Sequence, residues 1–264
     1  MTGDSPLHER LTEWHLRVRA AMASQRLDLP FAVCVITEHL SSVYDLNLMS
    51  VTSQVPPAVL LRSIERIAST AGWRHRRIEI DSPAVADRLR GPLTDAGYTE
   101  ERFVTMALTG APPPPVVSGG RASRPTAVVD VDDQIDLARA VSAQQPWAIS
   151  TDLVEQMVER ERRLARVTRC RVVVAPPDAP VSRCLLLEEP GGGLLEIDAV
   201  STLSEHRGQR WSDAVVRRAI AVGREHETHV VLVADDADWP KAWYGRLGFT
   251  VVGRSWAFRR DPAG

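Results

Sequence analysis

From Leu194 to Phe249 the chain spells out a strand, a tight basic loop, a helix, a second strand and a short helix that turns into a last strand, and this order constrains the 264 residues more than any other feature. Leu194–Thr202 (LLEIDAVST) follows three glycines and is rich in apolar and β-branched residues, which predicts a strand. Trp211, Val215, Ala219 and Val222 recur at helical spacing through Glu225, opposite Arg217, Arg218 and Arg224, which predicts an amphipathic helix. Between them, Arg207 and Arg210 sit where the first free N–H groups of that helix point. Unpaired donors and the helix dipole favour negative charge there by about 0.3–1 kcal/mol. His229–Ala234 (HVVLVA) is an unbroken apolar run, the pattern of a central strand buried on both faces. Asp235–Asp238 supplies a turn, with Asp238 as N-cap and Pro240 in the first helical turn. Gly248 ends that helix and Phe249–Phe258 is the last strand.

Two of these elements carry a family resemblance. Arg207-Gly208-Gln209-Arg210-Trp211-Ser212 resembles the Arg/Gln-x-x-Gly-x-Gly/Ala loop that cradles the CoA pyrophosphate in GNAT-type N-acetyltransferases. Tyr244-Gly245-Arg246-Leu247-Gly248-Phe249 matches their Tyr-x-x-x-Gly-Phe element. Arg210 stands at the family's central glycine, Ser212 at its small sixth residue, and Ala237 where an Asn is frequent. Glycine lacks a Cβ and lets backbone approach phosphate closely, so Arg210 either obstructs the pyrophosphate or swings out and pairs with it. The resemblance implies an α/β (α+β) fold with a sheet splayed between its fourth and fifth strands, and acetyl-CoA in the splay. Arg207, Gly208, Gln209, Arg210, Trp211 and Ser212 would then hold the pyrophosphate. Backbone N–H groups near Thr202 and Leu203 would hold the pantetheine and the acyl carbonyl, and Tyr244 would protonate the departing thiolate.

Acetylation of an amine needs a base for the amine proton and polarisation of the thioester carbonyl. Strict alternation along Leu194–Thr202 puts Glu196, Asp198, Val200 and Thr202 on one face and Leu195, Ile197, Ala199 and Ser201 on the other. Asp198, nearer the loop, is the first candidate base and Glu196 the second. The competing readings are a solvated carboxylate for each and a packed aromatic for Tyr244. The acceptor site falls to Gln144–Asp152 and the loop after Ala234, with Trp147, Trp239 and Trp243 as candidate walls.

Gly110–Pro125 (GAPPPPVVSGGRASRP) divides the chain, its Pro, Gly and Ser unsuited to helix or sheet interiors. The expected organisation is a lobe at 1–110, a linker at 111–125 and a CoA-binding domain at 126–264. Each lobe is expected to be a mixed, mostly antiparallel sheet flanked by helices. The halves read as a degenerate tandem repeat: Ser50-Val51-Thr52 aligns with Val200-Ser201-Thr202, and Gly97-Tyr98 then falls within one residue of register with Gly248-Phe249. The N-terminal copy has Ser53-Gln54-Val55-Pro56-Pro57 in place of the basic loop and no Tyr four residues before Gly97, which assigns it a structural role. Leu7, Leu11, Trp14, Val18 and Met22 predict a first helix packed on this lobe.

A net charge of −2 gives no overall basic field for nucleic acid or an anionic membrane. The sequence contains no spanning apolar stretch and no signal-peptide core, and Cys34, Cys170 and Cys184 read as buried thiols, so a cytoplasmic protein is expected. The cysteines and seven scattered histidines have no metal-ligand spacing. Three functions fit: a CoA-dependent N-acetyltransferase acting on a small-molecule or protein amine, an acyl-CoA-binding module without turnover, and a structural or regulatory protein whose paired lobes form an interaction surface, for example in a homodimer.

Overall fold

A computed structural model describes residues 5–110, 124–226 and 228–261, so most of the proline-rich linker, 111–123, lies outside the described residues. The chain divides into two compact units. One comprises Met1–Thr105, Ala234–Asp238 and Val251–Gly264, and the other Met106–Val233 and Trp239–Thr250.

In the first unit, α1 (Pro6–Met22) precedes β1 (Gln25–Leu29), β2 (Ala32–Ile36) and β3 (Leu48–Val51). Then come α2 (Pro57–Thr70), β4 (Arg76–Ile80), α3 (Pro83–Asp95) and β5 (Thr99–Leu108), whose last three residues belong to the second unit. β3 begins only at Leu48 because Asn47 is buried and pins a loop ahead of it. Its Nδ2 donates to the Leu40 and Val43 carbonyls at 2.8 and 3.1 Å, and its Oδ1 accepts the Thr37 N–H at 2.9 Å. That spares the loop's polar backbone groups the cost of burial without a partner. β1, β2 and β3 are antiparallel, and β3 pairs parallel with β4 from Met49–Ile78 to Val51–Ile80. Cys34, Met49, Leu60, Ile64, Ile78, Leu89 and Phe258 fill the core.

The second unit contains β6 (Ala127–Val129), α4 (Ile135–Ala143), α5 (Thr151–Val167), β7 (Arg169–Ala175), β8 (Ser182–Glu188), β9 (Leu194–Thr202), α6 (Trp211–Glu225), β10 (His229–Asp235) and α7 (Trp239–Arg246). Of β10, residues through Val233 belong here. A 3₁₀ turn, Asp132–Gln134, leads directly into α4. β6 through β9 form an antiparallel run, and β10 pairs parallel with β9.

β11 (Phe249–Arg260) supplies the main departure from the expected organisation. Sequence reasoning keeps it in a domain of residues 126–264, yet from Val251 it groups with the first unit. There Trp256–Arg260 pairs antiparallel with Ile80–Arg76, and Trp256 and Phe258 enter the core beside Ile78 and Ile80. Pairing partners this far apart in sequence leave no local signature, so the assignment is invisible to periodicity.

Cys34, Cys170 and Cys184 are free and buried, and burial pushes each thiol up to about 12, as expected of inert core cysteines. Among the described residues no helix is long and apolar enough to cross a membrane.

Candidate functional site

The site begins where two strands part. β10 pairs with β9 at His229–Leu194, Val230–Leu195 and Val231–Glu196. Beyond Glu196, β9 runs on to Thr202 with no further pairing to β10. In the first unit β3 and β4 both end at their last pair, Val51–Ile80, so that copy has no equivalent opening.

β9 is bent by a bulge. Leu185 pairs with Asp198 and Arg183 with Ser201, so Ala199 and Val200 stand against the single residue Cys184, and Ala199 adopts φ 50°. Glu196 and Asp198 share a face, as expected from alternation. The extra residue then reverses the phase, which corrects the rest of that pattern. Ser201 joins the Glu196 face through its partner Arg183, and Thr202 moves to the face of Leu195 and Ile197. Two helices cover these faces. On the Arg183 side, α5 is fastened by a buried pair in which Arg183 Nη2 donates to Glu161 Oε2 at 2.6 Å. On the other side lies α6, whose Val215 carbonyl accepts from Cys184 Sγ at 3.8 Å.

Glu196 is 4% exposed and sits at the last β9–β10 pair. Asp198 is half-buried, and its Oδ1 accepts the N–H of Ala199 at 2.7 Å, bracing the bulge. One carboxylate oxygen is thereby committed to backbone.

The loop after β9 leads into α6. Arg207 Nε donates to the Thr202 carbonyl at 3.3 Å, anchoring the guanidinium to the end of β9 while its Nη groups have no partner among the described residues. Gly208 has φ 72° and Arg210, the N-cap of α6, φ 64°. Arg210 thus holds the left-handed conformation for which the family position uses glycine, at a cost of about 1–2 kcal/mol for a residue with a Cβ. Gln209 Nε2 donates to the Glu205 carbonyl at 3.4 Å. Ala214 N–H is given to Arg210 O at 3.3 Å, so the N–H groups of Trp211, Ser212 and Asp213 are the orphan donors of the helix start. Leu203 differs from expectation: its N–H donates to Val181 O at 2.9 Å and is spent on the sheet. Sequence reasoning missed Arg124, whose guanidinium lies 3.9 Å over the Trp211 ring beside this helix start. It comes from the compositionally biased linker, where no local pattern marks it.

Tyr244 on α7 is 8% exposed. Burial pushes its phenol well above its ordinary value, and Cys184 and Asp198 lie near enough to raise it further. An aromatic series runs outward from it, Trp243 at 4.8 Å and Trp239, 69% exposed, 6.1 Å beyond. Trp147 has no ring partner among the described residues.

Several solved structures share the overall fold of this chain. A functionally unknown conserved protein from Staphylococcus epidermidis superposes with a TM-score of 0.70 at 16% identity, over 90% of this chain and 93% of that one. A GCN5-related N-acetyltransferase from Kribbella flavida gives 0.66 at 19% identity, over 97% and 95%. A tandem GNAT protein from the clavulanic acid biosynthesis pathway gives 0.55 at 12% identity, over 82% and 76%. No protein-family model and no curated protein sequence matches the chain. The chain therefore has the fold of the GCN5-related N-acetyltransferases in the tandem arrangement.

Proposed function

We propose that the second unit is an N-acetyltransferase that moves an acetyl group from acetyl-CoA to an amine of a small molecule or protein. The observation that carries this reading is the opening of β9 from β10 past Glu196, directly before a left-handed loop and the bare N–H groups of α6. Gly208 and Arg210 hold the positive φ that such a cradle needs, and Arg207 presents unpaired Nη donors beside it, so the residues present fit a pyrophosphate.

Acetyl-CoA would supply an acyl group already activated as a thioester. Asp198, or Glu196 two pairs further in, would take the proton the amine sheds as its nitrogen bonds to the acyl carbon. Tyr244 would give its proton to the sulfur as the C–S bond breaks. Burial suits Tyr244 to that role, because its raised pKa keeps the proton on the oxygen throughout the working pH range. Replacing Arg207 with Glu should weaken CoA binding at least tenfold, since one substitution removes a cation and adds an anion at the phosphate. Unchanged affinity would remove α6 as the pyrophosphate site.

One observation favours a second reading, an acyl-CoA-binding protein without turnover: Asp198, the nearer base, already uses an oxygen to brace the bulge. Tight CoA binding with no acetyl transfer to any amine in a broad screen would select it.

A further inference from the structure

Three hydroxyls join the end of β9 to the start of α6. Ser182 and Thr202 are directly paired across β8 and β9, and their oxygens lie 2.8 Å apart. Thr202 Oγ1 is 2.7 Å from Ser212 Oγ in the first turn of α6. The bulge makes this contact, since with unbroken alternation Thr202 would point to the opposite face, away from α6.

The order of protons along this chain follows from its inner end. Ser182 is fully buried, and its Oγ also lies 3.0 Å from the Ser201 carbonyl, which can only accept. Each hydroxyl has one proton to give. If Ser182 donates to Ser201 O, the proton in the Ser182–Thr202 contact must come from Thr202, and that in the Thr202–Ser212 contact from Ser212. All three short contacts are then hydrogen bonds. The reverse order leaves the buried Ser182–Ser201 contact without a proton and sends the Ser212 proton outward.

We propose that Ser182, Thr202 and Ser212 form a one-way hydroxyl chain that spends the Ser212 proton inward, so that Ser212 clamps α6 to β9 and meets the pyrophosphate cradle only as an acceptor. This rests on the reading of α6 as the pyrophosphate site. Ser182, remote from that cradle, becomes a positioning residue that sets what Ser212 can offer a phosphate.

The consequence runs opposite to ordinary loss of a structural bond. Thr202→Val is close to isosteric and leaves Ser182 bonded to Ser201 O, but it deprives Ser212 of its acceptor and frees its proton for a phosphate oxygen. Calorimetric titration with CoA should then show binding about tenfold tighter than wild type, the gain of one hydrogen bond to a charged acceptor. Ser182→Ala should tighten it likewise, and adding Ser212→Ala to Thr202→Val should abolish the gain. Unchanged or weaker binding in Thr202→Val overturns the proposal, and that variant decides the matter if Ser182→Ala, at a fully buried position, fails to fold. If neither wild type nor variants bind CoA, the pyrophosphate reading falls and takes this inference with it. Binding by wild type without tightening sinks the hydroxyl chain alone.

Discussion

Tyr244, Arg210 and His75 each expose a different physical effect. Tyr244→Phe removes the candidate proton donor to sulfur and leaves the ring packing against Trp243 and Phe249 intact. Acetyl transfer should slow by about 10²–10⁴-fold with CoA affinity unchanged; an unaltered rate would take Tyr244 out of the chemistry. In the wild type, the raised phenol should produce no falling limb in the rate up to about pH 10. Arg210→Gly relieves a left-handed residue, so urea denaturation should show a gain of up to about 1 kcal/mol, and a loss would mean that the Arg210 side chain contributes more than its backbone costs. His75 is fully buried between the rings of Tyr44 and Trp73, donating from Nε2 to Asn47 O at 2.9 Å. Burial lowers its pKa from 6.5 to about 4, with Arg77 and Arg76 adding to the shift and the bond to Asn47 opposing it. The unfolded chain therefore binds the extra proton first. The stabilisation is complete above the unfolded pKa and is lost as pH falls toward the folded one, by up to about 3 kcal/mol. Denaturation at pH 7 and pH 4.5 should show a steeper loss for wild type than for His75→Gln, and equal losses would contradict it.

At the scale of elements, α6 reaches β10 through Gly223. A Cβ there would lie 2.3 Å from Cγ2 of Val230, a stiff side chain on a buried strand. Gly223→Ala should cost about 1–3 kcal/mol by urea denaturation, and a neutral result would show that the helix can shift. The elements around this contact were legible in the sequence. β9 and α6 run over the residues that alternation, the glycine triplet and the apolar stripe indicate. Turn chemistry also carried over: Gly97 and Gly248, matched between the halves to within one residue, both have positive φ where a helix turns into a strand. The bulge was not legible, because Ala199 takes φ 50° without being glycine or asparagine, and no composition marks it. That one residue decides that Thr202 faces Ser212 and that Asp198 braces backbone. β1 was missed for another reason: as Gln25–Leu29 it has four exposed residues of five and so lacks an apolar alternation.

Over the whole molecule, the repeat was readable and the destination of its last strand was not. The N-terminal half lacks the strand extension as well as the basic loop, so the expectation of a structural role for it rests on backbone as much as on missing arginines. Because Trp256 and Phe258 belong to the core of the first unit, a chain ending at residue 250 should lose that unit's cooperative unfolding transition altogether rather than fray. A normal transition for residues 1–105 in that truncation would refute the assignment. The central claim concerns the second unit, where parted strands and the start of α6 are read as a working cofactor site. Isothermal titration of the full-length protein with acetyl-CoA, and separately with CoA, tests it most directly. Saturable micromolar binding of both, lost in Arg207→Glu, is the predicted result. No heat at millimolar ligand would contradict it and leave a GNAT fold serving a purpose other than acyl transfer.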